Sequence, residues 1–164
     1  MPVLVAAILG ATATGAGTLV YRLGESGGFE HAPVAVANTD KLMEDEVVHL
    51  VNVQRVKAGC DPLTVDDRLA KAAEEHSTDM SERNYFDHTT PEGLTFRDRI
   101  LHAGYANPQT AENLARGQRD AEQVMDSWMD SPGHRANILN CDLTRVGVGL
   151  DENGMYWTQD FGTV

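Results

Sequence analysis

SPGHRANIL (residues 131–139) is the segment around which the rest of the chain is organised. A proline at the first position of a helix loses no hydrogen bond, and a preceding serine can cap that helix. We therefore predict that a helix begins at Pro132 and presents His134 in its first turn, with Ile138 and Leu139 available for the core. An imidazole in this position can bind a metal, transfer a proton or bind a ligand, but it needs partner side chains from elsewhere in the chain.

The best partners for His134 are His88 and Glu112. Two imidazoles and one carboxylate form a plausible open zinc site, in which water completes the coordination. Asn113 and Ser131 are candidates for accepting hydrogen bonds from the ligating imidazoles. The prediction is that three distant segments converge on a site for zinc or another divalent cation. In the alternative interpretation, the three side chains only hydrogen-bond across loops and fix a cleft.

The composition indicates a globular protein and excludes some partners. The 164 residues include 41% hydrophobic and 23% charged side chains, which is typical of a folded domain with its own core. There are 13 Lys and Arg against 25 Asp and Glu, so the formal net charge is -12. This charge argues against a nucleic-acid backbone as the partner and against adsorption onto an anionic membrane surface.

The amino-terminal part of the chain divides into an apolar segment and a linker. No charged side chain occurs between Pro2 and Val20, so residues 1–22 are predicted to be a signal peptide or an N-terminal membrane anchor. A weakly apolar, disordered tail is the alternative. Residues 23–39 contain glycines and a proline without helical periodicity and are predicted to be a linker. The folded domain is assigned to residues 40–164, and its location to the cell envelope or the exterior.

The two cysteines leave several chemistries open. Cys60 and Cys141 could form a disulfide, share a metal or remain free thiols. Neither lies in a CxxC pair, which makes a zinc knuckle or a redox motif improbable. We favour a long-range disulfide, because the amino terminus has the features of an exported protein and disulfides persist in oxidising compartments.

Hydrophobic periodicity predicts helices first and a hairpin last. Helices are expected over residues 40–58, 66–84, 95–104 and 120–128, and strands over residues 111–117, 146–150 and 156–161. Asn153-Gly154 is a strong signal for the hairpin turn between the last two strands. This order of elements is typical of the α+β class.

Several residues in these elements are assigned to structure instead of function. His76 lies on the apolar stripe of its helix and is predicted to be a core histidine. Trp157 and Phe161 share one strand face, which indicates core packing. Gly147 and Gly149 are expected to permit close helix packing. Five acidic residues are expected to form a solvated helix face: Glu44, Asp45, Glu46, Glu74 and Glu75.

Several ordered motifs together resemble the CAP superfamily of cysteine-rich secretory, antigen 5 and pathogenesis-related 1 proteins, in its bacterial form. The similarity extends from about Asp45 to Gly162. The motifs are FDHTTPEG (residues 86–93), ENLA (112–115), SPGHRANIL (131–139), GVG (147–149) and YWTQDFG (156–162). The resemblance implies a three-layer α-β-α sandwich with a small central antiparallel sheet. It also implies secretion and a cleft lined by two histidines and two acidic residues.

Three of the four cleft residues carry over. His88 matches the first cleft histidine, Glu112 the first acidic residue and His134 the second histidine. In animal and plant members the second acidic residue follows a tryptophan by three positions, and that offset from Trp128 reaches Ser131. A full animal-type tetrad is therefore not expected.

The resemblance favours a binding module over an enzyme. Some eukaryotic relatives bind sterols or fatty acids, so a small lipid is the first expectation, with a glycan or a protein of the cell envelope as alternatives. The rival hypothesis is a metal-dependent hydrolase, such as a peptidase, that uses His88, Glu112 and His134. A purely structural interaction domain with a vestigial cleft is the third. The protein is expected to be a monomer or a weak dimer.

Overall fold

A computed structural model describes residues 39–164 of the chain. The predictions for residues 1–22 and for the linker up to residue 38 lie outside the described residues. The elements follow the order α1 (Thr39–Ala58), β1 (Thr64–Val65), α2 (Asp67–Arg83), α3 (Phe96–His102), β2 (Thr110–Arg116), α4 (Ala121–Asp130), α5 (Pro132–Ile138), β3 (Arg145–Asp151) and β4 (Tyr156–Gly162). Of these described helices, none is both long and apolar enough to cross a membrane.

The four strands form one sheet in the order β1-β3-β4-β2. β3 and β4 are the predicted antiparallel hairpin, and β2 adds to the free side of β4, also antiparallel. The two residues of β1 pair in parallel with β3 and carry too little periodicity to be predicted from the sequence. β2 is thus an edge strand, and its outer side is available to α5 and to the site. The predicted α+β class is confirmed.

The sheet lies between two helical layers. On one face, α1, α4 and α5 cover a core that contains Trp128, Trp157 and Phe161, all fully buried. The core assignment of Trp157 and Phe161 is therefore confirmed. On the other face, α2 packs against β3 and β4, and α3 packs against α2. The result is the predicted α-β-α sandwich.

Close contact between α2 and β3 depends on two glycines. A Cβ atom at Gly147 would lie 2.0 Å from the backbone nitrogen of Ala70, and one at Gly149 would lie 2.2 Å from that of Glu74. Real Cβ contacts are never this short, so helix backbone rests directly on strand backbone at these two positions. The predicted packing role of both glycines is confirmed.

The core face of α1 includes two charged residues that its periodicity did not reveal. Glu44 is 4% exposed and accepts a hydrogen bond from the Leu150 amide, so the prediction of a solvated Glu44 is wrong. Arg55 is 1% exposed and donates to the main-chain oxygens of Asp61, Ile138, Asn140 and Leu143. Each buried charge is tolerated because backbone groups satisfy its hydrogen bonds.

A disulfide joins Cys60 to Cys141, which confirms the predicted pairing. It links the loop after α1 to the loop after α5 across a sequence separation of 81 residues. Arg55 binds the same loop after α5. One covalent bond and one guanidinium therefore fasten the carboxyl-terminal end of α5 to the end of α1.

Candidate functional site

His88 lies in the loop between α2 and α3, and the surrounding residues fix that loop. Asn84 ends α2 in the left-handed conformation with φ 52°, which turns the chain away from the helix axis. A capping box between Thr95 and Asp98 starts α3 on the other side. The Nε2–H of the fully buried His76 donates to the main-chain oxygen of Asp87 at 3.0 Å. The predicted core histidine is thus confirmed, and it also anchors the residue next to His88.

Glu112 is the buried partner of His88. Its Oε1 lies 2.7 Å from Nδ1 of His88, and the Glu112 side chain is completely buried, whereas that of His88 is 52% exposed. A carboxylate only accepts hydrogen bonds, so Nδ1 carries the proton and Nε2 is the nitrogen left for a ligand. The Glu112 carboxylate therefore fixes the orientation of the His88 imidazole at the mouth of a cleft.

Arg99 completes the support beneath His88. Its guanidinium donates to Oε2 of Glu112 and, at 2.9 Å, to the main-chain oxygen of His88. With 9% exposure, it is the buried cation that balances the buried carboxylate. Through these contacts one side chain from α3 holds both the histidine loop and β2.

Asp160 places a second carboxyl group next to Glu112. The two residues are directly paired across β2 and β4 and therefore project from the same face of the sheet. Asp160 is fully buried, and within the described part of the chain neither of its carboxyl oxygens has a hydrogen-bond partner. Burial, reinforced by the negative charge of Glu112, raises the pKa of Asp160 well above its ordinary value. Asp160 accordingly favours the protonated, neutral form.

His134 reaches the cleft from α5, whose position is set by a network of buried amides. Nδ2 of Asn113 donates to the main-chain oxygen of His134 at 3.2 Å and to Oε1 of Gln159 at 3.0 Å. Nδ2 of Asn137 donates to Oδ1 of Asn113 at 2.9 Å and to the main-chain oxygen of Glu112 at 3.3 Å. This network fastens α5 to the outer edge of β2, on which Glu112 lies.

The environments of the two cleft histidines differ. The hydrogen bond with Glu112 raises the pKa of His88 above its ordinary value. Burial, together with the positive charge of His88, lowers the pKa of His134. His134 Nδ1 is buried and finds no hydrogen-bond partner among the described residues. The cleft thus pairs a readily protonated imidazole with one that favours the neutral form.

The structure brings the predicted site residues together in unequal roles. His88 and Glu112 are in contact, and His134 is close enough for the two histidines to influence each other electrostatically. Asn113 supports the backbone of His134 and not its ring. The Ser131 side chain makes no capping hydrogen bond to α5, and its predicted contact with an imidazole stays a prediction.

Sequence reasoning missed Arg99 and Asp160. Arg99 follows a capping signal on a short amphipathic helix, where an arginine normally faces water. Asp160 carries the clearer signal, since it alternates with the inward-facing Thr158 and Tyr156 in a strand whose seven residues are all buried. An acidic residue in such a strand requires a partner or a neutral state.

The residues fit a bound divalent cation only in part. Both oxygens of Glu112 are engaged, one by His88 and one by Arg99, so Glu112 suits the role of orienting His88 better than that of a ligand. The imidazoles of His88 and His134 fit as nitrogen donors. Within residues 39–164, no group of three or more His, Cys, Asp or Glu side chains has the arrangement of a metal site.

Comparison with known proteins places this geometry in context. A model of the cysteine-rich secretory protein family, CAP, matches residues 48–161. A curated relative from Bacillus subtilis, the uncharacterized protein YkwD, is 44% identical over 118 residues, which cover 72% of this chain and 46% of that protein.

Two solved structures share the fold over most of the chain. An extracellular protein containing an SCP domain from Bacillus anthracis superposes with a TM-score of 0.75 at 30% identity, covering 88% of this chain and 47% of that one. An outer surface protein from Borrelia burgdorferi gives a TM-score of 0.71 at 25% identity, covering 77% of this chain and 96% of that one. The chain thus spans less than half of the two Bacillus proteins.

Proposed function

The chain belongs to the CAP family of cysteine-rich secretory proteins, and we propose that it is an exported binding module whose ligand is an amphiphile with an acidic head group, held between His88 and His134. Export is supported by the extracellular and outer-surface neighbours and by the Cys60–Cys141 disulfide. The activity proposed here is binding without turnover.

One observation carries the proposal: of the two histidines and two carboxyl groups that meet at the cleft, only the imidazoles of His88 and His134 reach the surface, because Glu112 and Asp160 are buried. Glu112 and Asp160 cannot meet a ligand, and Arg99 is sequestered with them. His88 is half-exposed, and its raised pKa favours the imidazolium form. It therefore offers a local positive charge to an acidic head group.

Apolar side chains lie on the same loop as His88. Phe86, two residues earlier, is 46% exposed, and Leu94, near the end of the loop, is 39% exposed. In this proposal an acyl chain runs over Phe86, whose ring lies against Tyr156, while the head group contacts His88. These exposed apolar residues favour a lipid over a glycan, whose hydroxyl groups would require more polar partners.

The test is titration of the protein with oleate, a soluble anionic amphiphile, by isothermal calorimetry below the micellar concentration. His88→Ala and Phe86→Ser should each weaken binding about tenfold or more, whereas Leu101→Ser, an equally exposed apolar position on α3, should leave it unchanged. Binding should also weaken as the pH rises and His88 loses its proton. Equal binding by all four proteins, or no binding at all, would refute the proposal.

A metal-dependent hydrolase is the second candidate, favoured by the His88–Glu112 pair beside His134, whose pKa is lowered by burial. His88 Nε2 and a ring nitrogen of His134 would hold the ion, and Glu112 would orient the His88 ring. A bound zinc ion would supply a Lewis acid for hydrolysis. Zinc titration followed by the imidazole NMR signals tests binding separately from activity. If the signals of both histidines are unmoved by zinc, this candidate is excluded.

A further inference from the structure

α1 carries an exposed stripe on the side opposite its core face. The core face consists of Glu44, Val47, Val51 and Arg55. The outer stripe consists of Leu42, His49, Val53 and Val56, whose spacing places them along one line of a helix. Leu42 is 57% exposed and Val56 59% exposed, whereas Val53 between them is half-buried. A shallow groove on this side is lined by His49, Asn52, Val53, Val56 and Lys57.

Two charged residues beside the stripe have no salt-bridge partner within the described part of the chain. Glu46 and Lys57 lie on the same flank, about three helical turns apart. Over residues 39–164, neither takes part in a salt bridge, although other helical charges are paired, as Lys41 is with Asp45 at 2.8 Å and Lys71 with Glu75 at 3.3 Å. An apolar stripe with one acidic and one basic end is complementary to a helix that carries the same stripe and runs in the opposite direction.

We propose that this face binds the same face of a second copy of the chain, with the two α1 helices antiparallel. A two-fold axis makes such an interface self-complementary. In an antiparallel helix pair each flank meets the same flank of the other helix, so Glu46 faces Lys57 of the second copy and Lys57 faces Glu46 of the second copy. The two-fold axis thus forms two equivalent Glu46–Lys57 ion pairs.

The parallel arrangement is disfavoured by the same residues. In a parallel pair, one flank of each helix meets the opposite flank of the other helix at the same height. Glu46 would then lie beside Asp45 of the second copy. Like charges at this distance repel. In the antiparallel arrangement, with residue 46 opposite residue 57, Val53 and Val56 of one helix lie on either side of His49 of the other. The stripe therefore interdigitates in the orientation that also pairs the charges.

The size of the face makes the dimer weak. The contact spans residues 46–57, about 18 Å of helix, and a single pair of helices of this length buries less than the roughly 1,200 Å² of a stable standard interface. Association in the range of tens to hundreds of micromolar is expected. The cleft lies on other elements and remains open in the dimer.

Sedimentation equilibrium of the full chain, up to about 1 mM, tests the proposal. Wild type should show a monomer–dimer equilibrium, and Val53→Glu/Val56→Glu should weaken it at least tenfold. Leu101→Glu, which places a glutamate at an apolar position on α3 as exposed as Val56, should not. A wild-type chain that stays monomeric throughout would overturn the proposal.

A charge swap tests the orientation. Glu46→Lys and Lys57→Glu should each weaken the dimer several-fold, and the double swap should restore it, because reversing both partners recreates the pair. Association that ignores every α1 substitution would mean that another surface, such as the amino-terminal segment, brings the copies together, and it would refute the inference. Single and double swaps that weaken the dimer additively would refute the antiparallel arrangement.

Discussion

Asp160 is paired with Glu112 across β4 and β2, so that two buried carboxyl groups face one guanidinium, that of Arg99. A single cation balances a single negative charge, and the pKa of Asp160 is raised by burial and by the charge of Glu112. The fold therefore favours the protonated form of a carboxyl group directly behind the cleft.

Asp160→Asn should stabilise the protein relative to wild type, by an amount that grows as the pH rises. A raised folded-state pKa means that the native protein retains a proton that the unfolded chain releases above its ordinary pKa. The contribution of Asp160 to the free energy of unfolding of the wild type therefore falls from about pH 4 upwards, by at most about 1.4 kcal/mol per pH unit. Asparagine has no proton to lose, so urea unfolding at several pH values should show a difference that grows in favour of the variant. A difference that stays constant with pH would mean that Asp160 is ionised in the folded protein.

Glu44→Gln should have a similar effect at a different site. Burial raises the pKa of Glu44 to about 7, so this carboxyl group stabilises the fold least above that pH. Glutamine retains an oxygen to accept from the Leu150 amide. The variant should be more stable than wild type at pH 8, by up to a few kcal/mol, and close to it at pH 5. Glu46→Gln is the control on the exposed face and should show no such pH dependence in urea unfolding.

Glu112→Gln should shift the two cleft histidines in opposite directions. The hydrogen bond with Glu112 raises the pKa of His88, so that pKa should fall in the variant. The pKa of His134 is lowered partly by the positive charge of His88, so it should rise as His88 becomes neutral. NMR titration of the imidazole protons measures both. A common shift in one direction would indicate general rearrangement of the cleft, which a thermal melt of the variant would also reveal.

Gly147→Ala should destabilise the protein by about 3 kcal/mol or more, because the new Cβ meets the backbone of α2, which cannot move aside as a flexible side chain can. Gly133 provides the matched control. It lies in α5, and a Cβ there meets nothing within 4 Å. Gly133→Ala should stabilise the helix by roughly 0.5–1 kcal/mol. Calorimetric unfolding of the two variants compares them directly, and equal effects would contradict the close α2–β3 contact.

The sequence was most informative where local chemistry and hydrophobic periodicity agree. The capping residues, the hairpin turn at Asn153-Gly154 and the apolar stripes predicted most elements, and motif resemblance predicted that His88 and Glu112 line the same cleft. The sequence was least informative about charged residues that become buried. Glu44 and Arg55 are satisfied by backbone groups distant in sequence, and Arg99 is paired with Glu112. Asp160 lies beside Glu112 without a hydrogen-bond partner among the described residues. Such partners arise from the tertiary fold and leave no local periodicity.

The attachment of α5 has a consequence for the order in which the cleft can form. This helix has seven residues, begins without a side-chain cap, and is far shorter than helices that persist alone in water. Its terminal carbonyls are bound by Arg55, which comes from a helix that precedes it by about eighty residues. Tertiary docking, and not local propensity, therefore gives α5 its structure. The position of His134 in the cleft is therefore a property of the folded chain alone, so a partly folded or nascent protein would carry the histidine without the cleft.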